Sequence, residues 1–293
     1  MKINSSKLYS ISAVILLVVG AVAIYYSISL FLANLNQTNT STSLRVSQWS
    51  GYMVASDIQN RSPVVSGISA SWTVPEIQLS ENNTFSGVWV GIGGYGEKTL
   101  IQTGTEQEII NDRVSYYAWY ELLPDYLVRI PNLRIRPGDT ISASVSLISE
   151  NANTWSIEIS DVTRDQHFEK VVVYTSSRLS AEWIVERPKV NDTISTLANF
   201  GNVTFTECKA TIDGVTGAIG NFSYTQLVMV GADENPLVSV SSLDGDGSSF
   251  TVSYLEPSNA TSQDDLQVNS FTVLPLAFFA LAFTRKLYAS VSG

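Results

Sequence analysis

Four stretches of the chain combine tryptophan and glycine with carboxylates or amides: QWSGY (48–52), WVGIGGYGEKTLIQTGTEQ (89–107), YYAWYELLPD (116–125) and AEWIVER (181–187). The chain holds one histidine, His167, and one cysteine, Cys208. A disulfide within the chain is impossible, and so is a structural zinc site of several Cys and His. Nucleophilic chemistry that needs an imidazole would have to run through His167. That residue lies in the polar TRDQHFEK and reads as a solvated turn. Cys208 reads as a half-buried strand residue, and Asp244 and Asp246 in DGDG as a hairpin turn rather than calcium ligands. GIGGYG (91–96) lacks the following helix that a dinucleotide loop needs. No metal and no cofactor is expected, so carboxylates, amides, hydroxyls and backbone dipoles must carry any chemistry.

Strand alternation sorts these residues by face. In YYAWYE, Tyr117, Trp119 and Glu121 face one way; in AEWIVE, Glu182, Ile184 and Glu186 share a face. Leu100 and Gln102 oppose Ile101. Polar groups beside large aromatics on one sheet face suit the floor of a peptide-sized cleft, or a half-solvated outer face. The surrounding sequence keeps the same period of two. Ile141, Ala143, Val145 and Leu147 alternate with mostly Ser, and Trp155, Ile157 and Ile159 with Ser156 and Glu158. Turn signals at Arg136–Asp139, Asp213–Gly214 and Asp244–Gly247 separate such runs. Residues 46–256 therefore read as one all-β domain, an antiparallel sandwich without a convincing amphipathic helix.

The flanks suggest export. Residues 8–33 carry no charge, and as a helix they would span ~39 Å, enough for a ~30 Å hydrocarbon core. Lys2 and Lys7 precede this run, which places residues 1–7 in the cytosol and the body outside. The reading is a transmembrane signal anchor in contact with membrane lipid; a cleaved signal peptide, giving a secreted protein, is the rival. Residues 34–45 form a polar tether, 257–270 a linker, 271–284 a possible second membrane segment and 285–293 a basic tail. N-x-S/T sequons recur from Asn36 to Asn259, as in an exported glycoprotein. The net charge is −10, and charged residues are only 15% of the chain, which argues against nucleic-acid binding. With 17 Lys/Arg and one His, strong acid leaves few positive charges to repel one another, which suits an acidic medium.

The motifs together resemble the glutamic peptidases of the G1 (eqolisin, A4) family. The family's NWAG reads here as QWSG with Trp49, its WxGIDG as WVGIGG (89–94) and its LQTG as IQTG (101–104). Its YxAWYExxPD is matched by YYAWYELLPD, its AEWIVE by Ala181 to Glu186, and its FGxVxF by FGNVTF (200–205). The order is the family's, over roughly residues 46–256.

The resemblance implies a concanavalin-like sandwich of two long antiparallel sheets and an acid endopeptidase acting on protein or peptide substrates. It places a catalytic dyad at Gln102 and Glu186. Glu186 would be the base for water, and Gln102 would donate to the oxyanion or hold the water. Glu182, on the same strand face, is the rival base. Trp49, Trp119 and Glu121 fall at substrate-binding positions. So do Gly93 and Tyr117, where the family commonly has Asp. Leu123 replaces a Tyr, and Arg187-Pro188 follow Glu186 in place of Asp-Phe. A monomer is expected. The competing reading is a cell-surface sandwich that binds peptide or glycan without turning it over.

Overall fold

The structure is a computed structural model, and it describes residues 42–79, 83–256 and 284–285. The expected anchor at 8–33 and nearly all of the second apolar run at 271–284 lie outside the described residues. Among the described residues, no helix is long and apolar enough to cross a membrane.

The strands, in chain order, are β1 (Thr42–Val46), β2 (Trp49–Ala55), β3 (Val65–Thr73), β4 (Thr84–Gly93), β5 (Leu100–Ile110), β6 (Arg113–Leu122), β7 (Val128–Arg129), β8 (Thr140–Ser149), β9 (Thr154–Asp161), β10 (Gln166–Val173), β11 (Ala181–Glu186), β12 (Lys189–Val190), β13 (Thr193–Ile194), β14 (Thr196–Leu197), β15 (Asn202–Ile212), β16 (Val215–Ala218), β17 (Ser223–Met229), β18 (Val238–Val240), β19 (Phe250–Tyr254) and β20 (Thr284–Arg285). The helical content of the described residues is one 3-10 turn, Ile219–Asn221. The first sheet runs β1-β17-β2-β11-β4-β5-β6-β7, with β14 also on β4; the second runs β10-β9-β8-β3-β15-β19-β18, with β16 on β15. The all-β expectation therefore holds, with one difference. Pairing is antiparallel through the body of both sheets, but β1–β17, β14–β4 and β12–β20 are parallel. These are short peripheral strands that reach their places through long connections rather than hairpins.

Alternation drives the packing between the sheets. Val88, Val90, Ile92, Ile101, Ala118, Trp183 and Val185 of the first sheet meet Trp72, Ile141, Val145, Trp155 and Ile157 of the second in one buried core. The first sheet's other face is not half-solvated. Met53, Trp89, Leu100, Trp119, Ile184 and Leu227 form a second apolar cluster there, partly covered by Trp49, Ile58, Tyr95 and Tyr117. Every residue of β4 and β11 is consequently buried. Small residues allow this. At Gly104 an added Cβ would lie 2.2 Å from the Val88 carbonyl oxygen and 2.6 Å from the Trp89 Cβ, so glycine lets the Trp89 side chain cross β5.

Candidate active site

Register decides which polar residues meet on this second face. Glu182 of β11 pairs with Gly91 of β4, Gly91 with Gln102 of β5, and Gln102 with Glu121 of β6. These four form one row across the sheet. The next row on the same face is Gly51, Ile184, Trp89, Gly104 and Trp119. The row after that is Trp49, Glu186, Gly87, Glu106 and Tyr117.

Glu182 and Gln102 are thus two strands apart, roughly 10 Å between Cα atoms. The space over the glycine between them is filled by Leu100, whose Cδ1 would lie 2.9 Å from a Cβ added at Gly91. The expected partner Glu186 is four residues further along β11, roughly 13 Å away along the strand direction. The Trp89 indole stands between, donating its N–H to Glu186 Oε2 at 2.8 Å. The register therefore gives Gln102 not Glu186 but Glu182 as its row neighbour. The motif match separates the two, placing the dyad at Glu186, although both glutamates point to one face of the same strand.

The row is deeply buried: Glu182 is 0% exposed, and Gln102 and Glu121 are each 3% exposed. Gln102 Nε2 donates to Glu121 Oε2 at 2.6 Å, which fixes the orientation of the amide. Gln102 Oε1 and both carboxylate oxygens of Glu182 are buried without a hydrogen bond of good geometry from the protein. Burial pushes the Glu182 carboxyl well above the usual carboxylate range. The Ser180 hydroxyl, the Arg61 charge and the Tyr95 backbone N–H act the other way without cancelling it.

The remaining expected residues fall around this row. Trp49 packs edge-on against Trp89, ring centroids 5.1 Å apart, and Trp119 lies buried in the middle row. Tyr117 donates to Glu108 Oε2 at 3.2 Å, and the Arg129 guanidinium lies 3.6 Å from its ring centre. Gly93 closes the end of β4 with φ +88°, where a Cβ would lie 2.6 Å from the Thr99 carbonyl oxygen. It contributes backbone geometry rather than a side chain. Arg187 turns away from the face, donating to the carbonyl of Ser47 at 2.7 Å, so it is no counter-ion to Glu186. Sequence reasoning passed over Trp89 and Glu106, although alternation from Gln102 through Gly104 already puts Glu106 on the site face. His167 bonds Ser160 in an exposed setting, and Cys208 is fully buried, deeper than expected. Among the described residues no cluster of His, Cys, Asp and Glu could hold a metal ion.

The sequence pattern of the Peptidase A4 family matches residues 47–254. The chain belongs to that family. It is 34% identical to aspergillopepsin-2 of Aspergillus niger over 172 residues, 57% of this chain and 58% of that protein. It thus spans under two thirds of that relative's length. To scytalidopepsin B of Scytalidium lignicola it is 28% identical over 211 residues, 67% of this chain and 76% of the relative. Among solved structures, scytalido-glutamic peptidase with a transition state analog inhibitor superposes with TM-score 0.61 at 24% identity, covering 71% of this chain and 98% of that one. Aspergilloglutamic peptidase from Aspergillus niger gives TM-score 0.51 at 31% identity, covering 59% and 99%. These likenesses match the β-sandwich described above, and the A4 family match spans all three rows of the site.

Proposed function

We propose that the chain is an endopeptidase of the glutamic type and that Gln102 and Glu186 form its dyad. Membership of the A4 family supports peptide-bond hydrolysis. The dyad rests on the motif positions of the two residues, and the way each is held supports it: Gln102 Nε2 donates to Glu121 Oε2 at 2.6 Å, and Glu186 Oε2 accepts from the Trp89 indole at 2.8 Å. Ionised Glu186 takes a proton from a water as the water oxygen bonds to the carbonyl carbon and the carbonyl π electrons move to oxygen. The C–N bond then breaks as Glu186 returns the proton to the leaving nitrogen. Gln102 does not titrate, and its amide serves the water or the developing oxyanion. Glu182 is 0% exposed, so its oxygens are closed to a substrate carbonyl.

Glu186 must be ionised to act, so activity is lost in strong acid. Protein or peptide chains are the substrates. The charge-free run at 8–33 supports an exported enzyme held at the membrane by that run. The test is digestion of a denatured protein from pH 2 to 7 by the wild type, Gln102→Ala, Glu186→Gln and Glu182→Gln. Loss of about 10²-fold or more is expected for the first two variants, and about tenfold or less for the third. Activity surviving in Glu186→Gln overturns the base assignment. Binding of a peptide without cleavage by the wild type at any pH would favour a binding sandwich instead.

A further inference from the structure

The face that carries Glu186 continues beyond its row. Along β5 and β6 it runs from Glu106 and Tyr117 to Glu108 and Ser115, then to Ile110 and Arg113 at the hairpin end. The hairpin turn is two residues long, Asn111 and Asp112, both with positive φ, the conformation that closes so short a turn. It fixes Arg113 opposite Ile110. The surface there is concave: a hollow of about 520 Å³ is lined by Glu108, Ile110, Asn111, Arg113 and Ser115. A second arginine stands beside it. Arg129 of β7 pairs with Trp119, so its side chain leaves the sheet on the same face. Its guanidinium lies 3.6 Å from the Tyr117 ring centre, and its Nη2 donates to Glu108 Oε1 at 3.1 Å, yet the side chain is still 49% exposed.

Two guanidiniums thus meet one buried carboxylate. Glu108 already accepts from Arg129 and from the Tyr117 hydroxyl. Among the described residues, the exposed Arg113 has no ion pair and no side-chain hydrogen bond, and Arg129 uses Nη2 alone. Glu106 stands one pair nearer to Glu186, and Asp112 of the turn does not line the hollow. Unused guanidinium donors beside an open hollow suit a planar anion, and a carboxylate is the one that a peptide carries. We propose that this hollow is a distal subsite in which Arg113 and Arg129 take an acidic side chain of the substrate. This deepens the reading of the chain as a peptidase acting through Glu186, and rests on it. Glu186 and Glu106 are row partners across Gly87, roughly 10 Å apart, and Glu108 is two residues further along β5. The hollow therefore begins roughly 12 Å from the base, and an extended substrate advances ~3.3 Å per residue. The acidic residue stands about three to five residues from the scissile bond. Neither arginine falls in the motifs that mark the dyad.

The experiment uses peptides built on one sequence taken from the digest, with both ends blocked. One position at a time, from about three to five residues on either side of the cleaved bond, carries cysteic acid, alanine or lysine. The sulfonate of cysteic acid stays ionised wherever the enzyme works. We would measure kcat and KM for the wild type, R113Q, R129Q, R113Q/R129Q and E186Q, with a thermal melt of each. At one of these positions the cysteic acid peptide should exceed the lysine peptide about tenfold in kcat/KM, mostly through KM, as a contact remote from the bond should act. In the double variant that ratio should fall to within about twofold, with each single variant between. A wild-type ratio within about twofold at every position overturns the proposal, and so does a ratio that survives in the folded double variant. If the double variant fails to fold, the exposed Arg113 decides: an unchanged ratio in R113Q overturns the subsite, and a reduced one supports it. E186Q reports on the dyad separately. Cleavage by E186Q removes the base assignment, while the ratio still judges the subsite.

Discussion

At the residue scale, β11 sets two glutamates on the face that carries Gln102. Glu182 and Glu186 are chemically identical, face the same way and are both buried. Their surroundings differ. Glu186 has a tryptophan N–H as donor, whereas Glu182 has acceptor oxygens without a well-formed protein donor. Glu186→Gln should therefore abolish turnover. Glu182→Gln should stabilise the fold at neutral pH, because it removes a carboxyl buried at 0% exposure whose ionisation burial opposes. A melting temperature at pH 7 higher than the wild type's checks the second expectation, and a lower one would contradict it. Gln102→Ala should also stop turnover, and it leaves Glu121 without its 2.6 Å donor. Gln102 and Glu186 are picked out by their motifs. The groups that hold them, Glu121 and Trp89, are not, since motif matching records order along the chain and not register between strands.

At the scale of elements, glycines in the central strands decide what the face can hold. Trp89 lies across β5 because Gly104 has no Cβ, and Leu100 lies over Gly91, where an added Cβ would be 2.9 Å from its Cδ1. Gly104→Ala puts a methyl 2.2 Å from a backbone oxygen in a strand paired on both sides. A loss of about 3 kcal/mol or more is expected, read by urea titration. Gly93→Asp, which restores the residue the wider family favours, should also destabilise, by about 2 kcal/mol. Its φ of +88° strains any side chain, and the Thr99 carbonyl occupies the space the Cβ needs. A melt showing Gly93→Asp as stable as the wild type would contradict this. Most strands were legible in the alternation of Ile141 to Leu147 or of Trp155 to Ile159, where one face is apolar. β4 and β11 are apolar on one face and mixed on the other. Their burial on both sides depends on the loops that carry Ile58 and Tyr95, and strand periodicity does not report on loops.

For the whole molecule, acid tolerance follows from proton uptake as well as from low charge density. Glu182 and Asp161 have carboxyls raised mainly by burial, so the folded chain binds their protons at a higher pH than the unfolded chain. Where the folded state holds more protons, stability rises as pH falls. That gain accrues between the raised pKa values and the ordinary carboxylate range. Asp139 works in the opposite sense. Despite its burial, bonds from Arg164 and Arg136 hold it below its ordinary value. Its contribution is present above about pH 4 and is lost in stronger acid. The melting temperature should therefore be higher near pH 4.5 than at pH 7, and fall again below about pH 3. A monotonic decline from pH 7 downward would contradict this. In E182Q the rise between pH 7 and 4.5 should shrink. The sequence alone determined the fold class, the face of each strand and the acid-suited charge content, because periodicity and composition are properties of the chain one residue after another. Only the tertiary structure decided that the Gln102 amide donates to Glu121, that the Trp89 indole donates to Glu186 and that burial perturbs Glu182. Those depend on strand register and loop closure, which bring together residues as distant as Trp89 and Glu186.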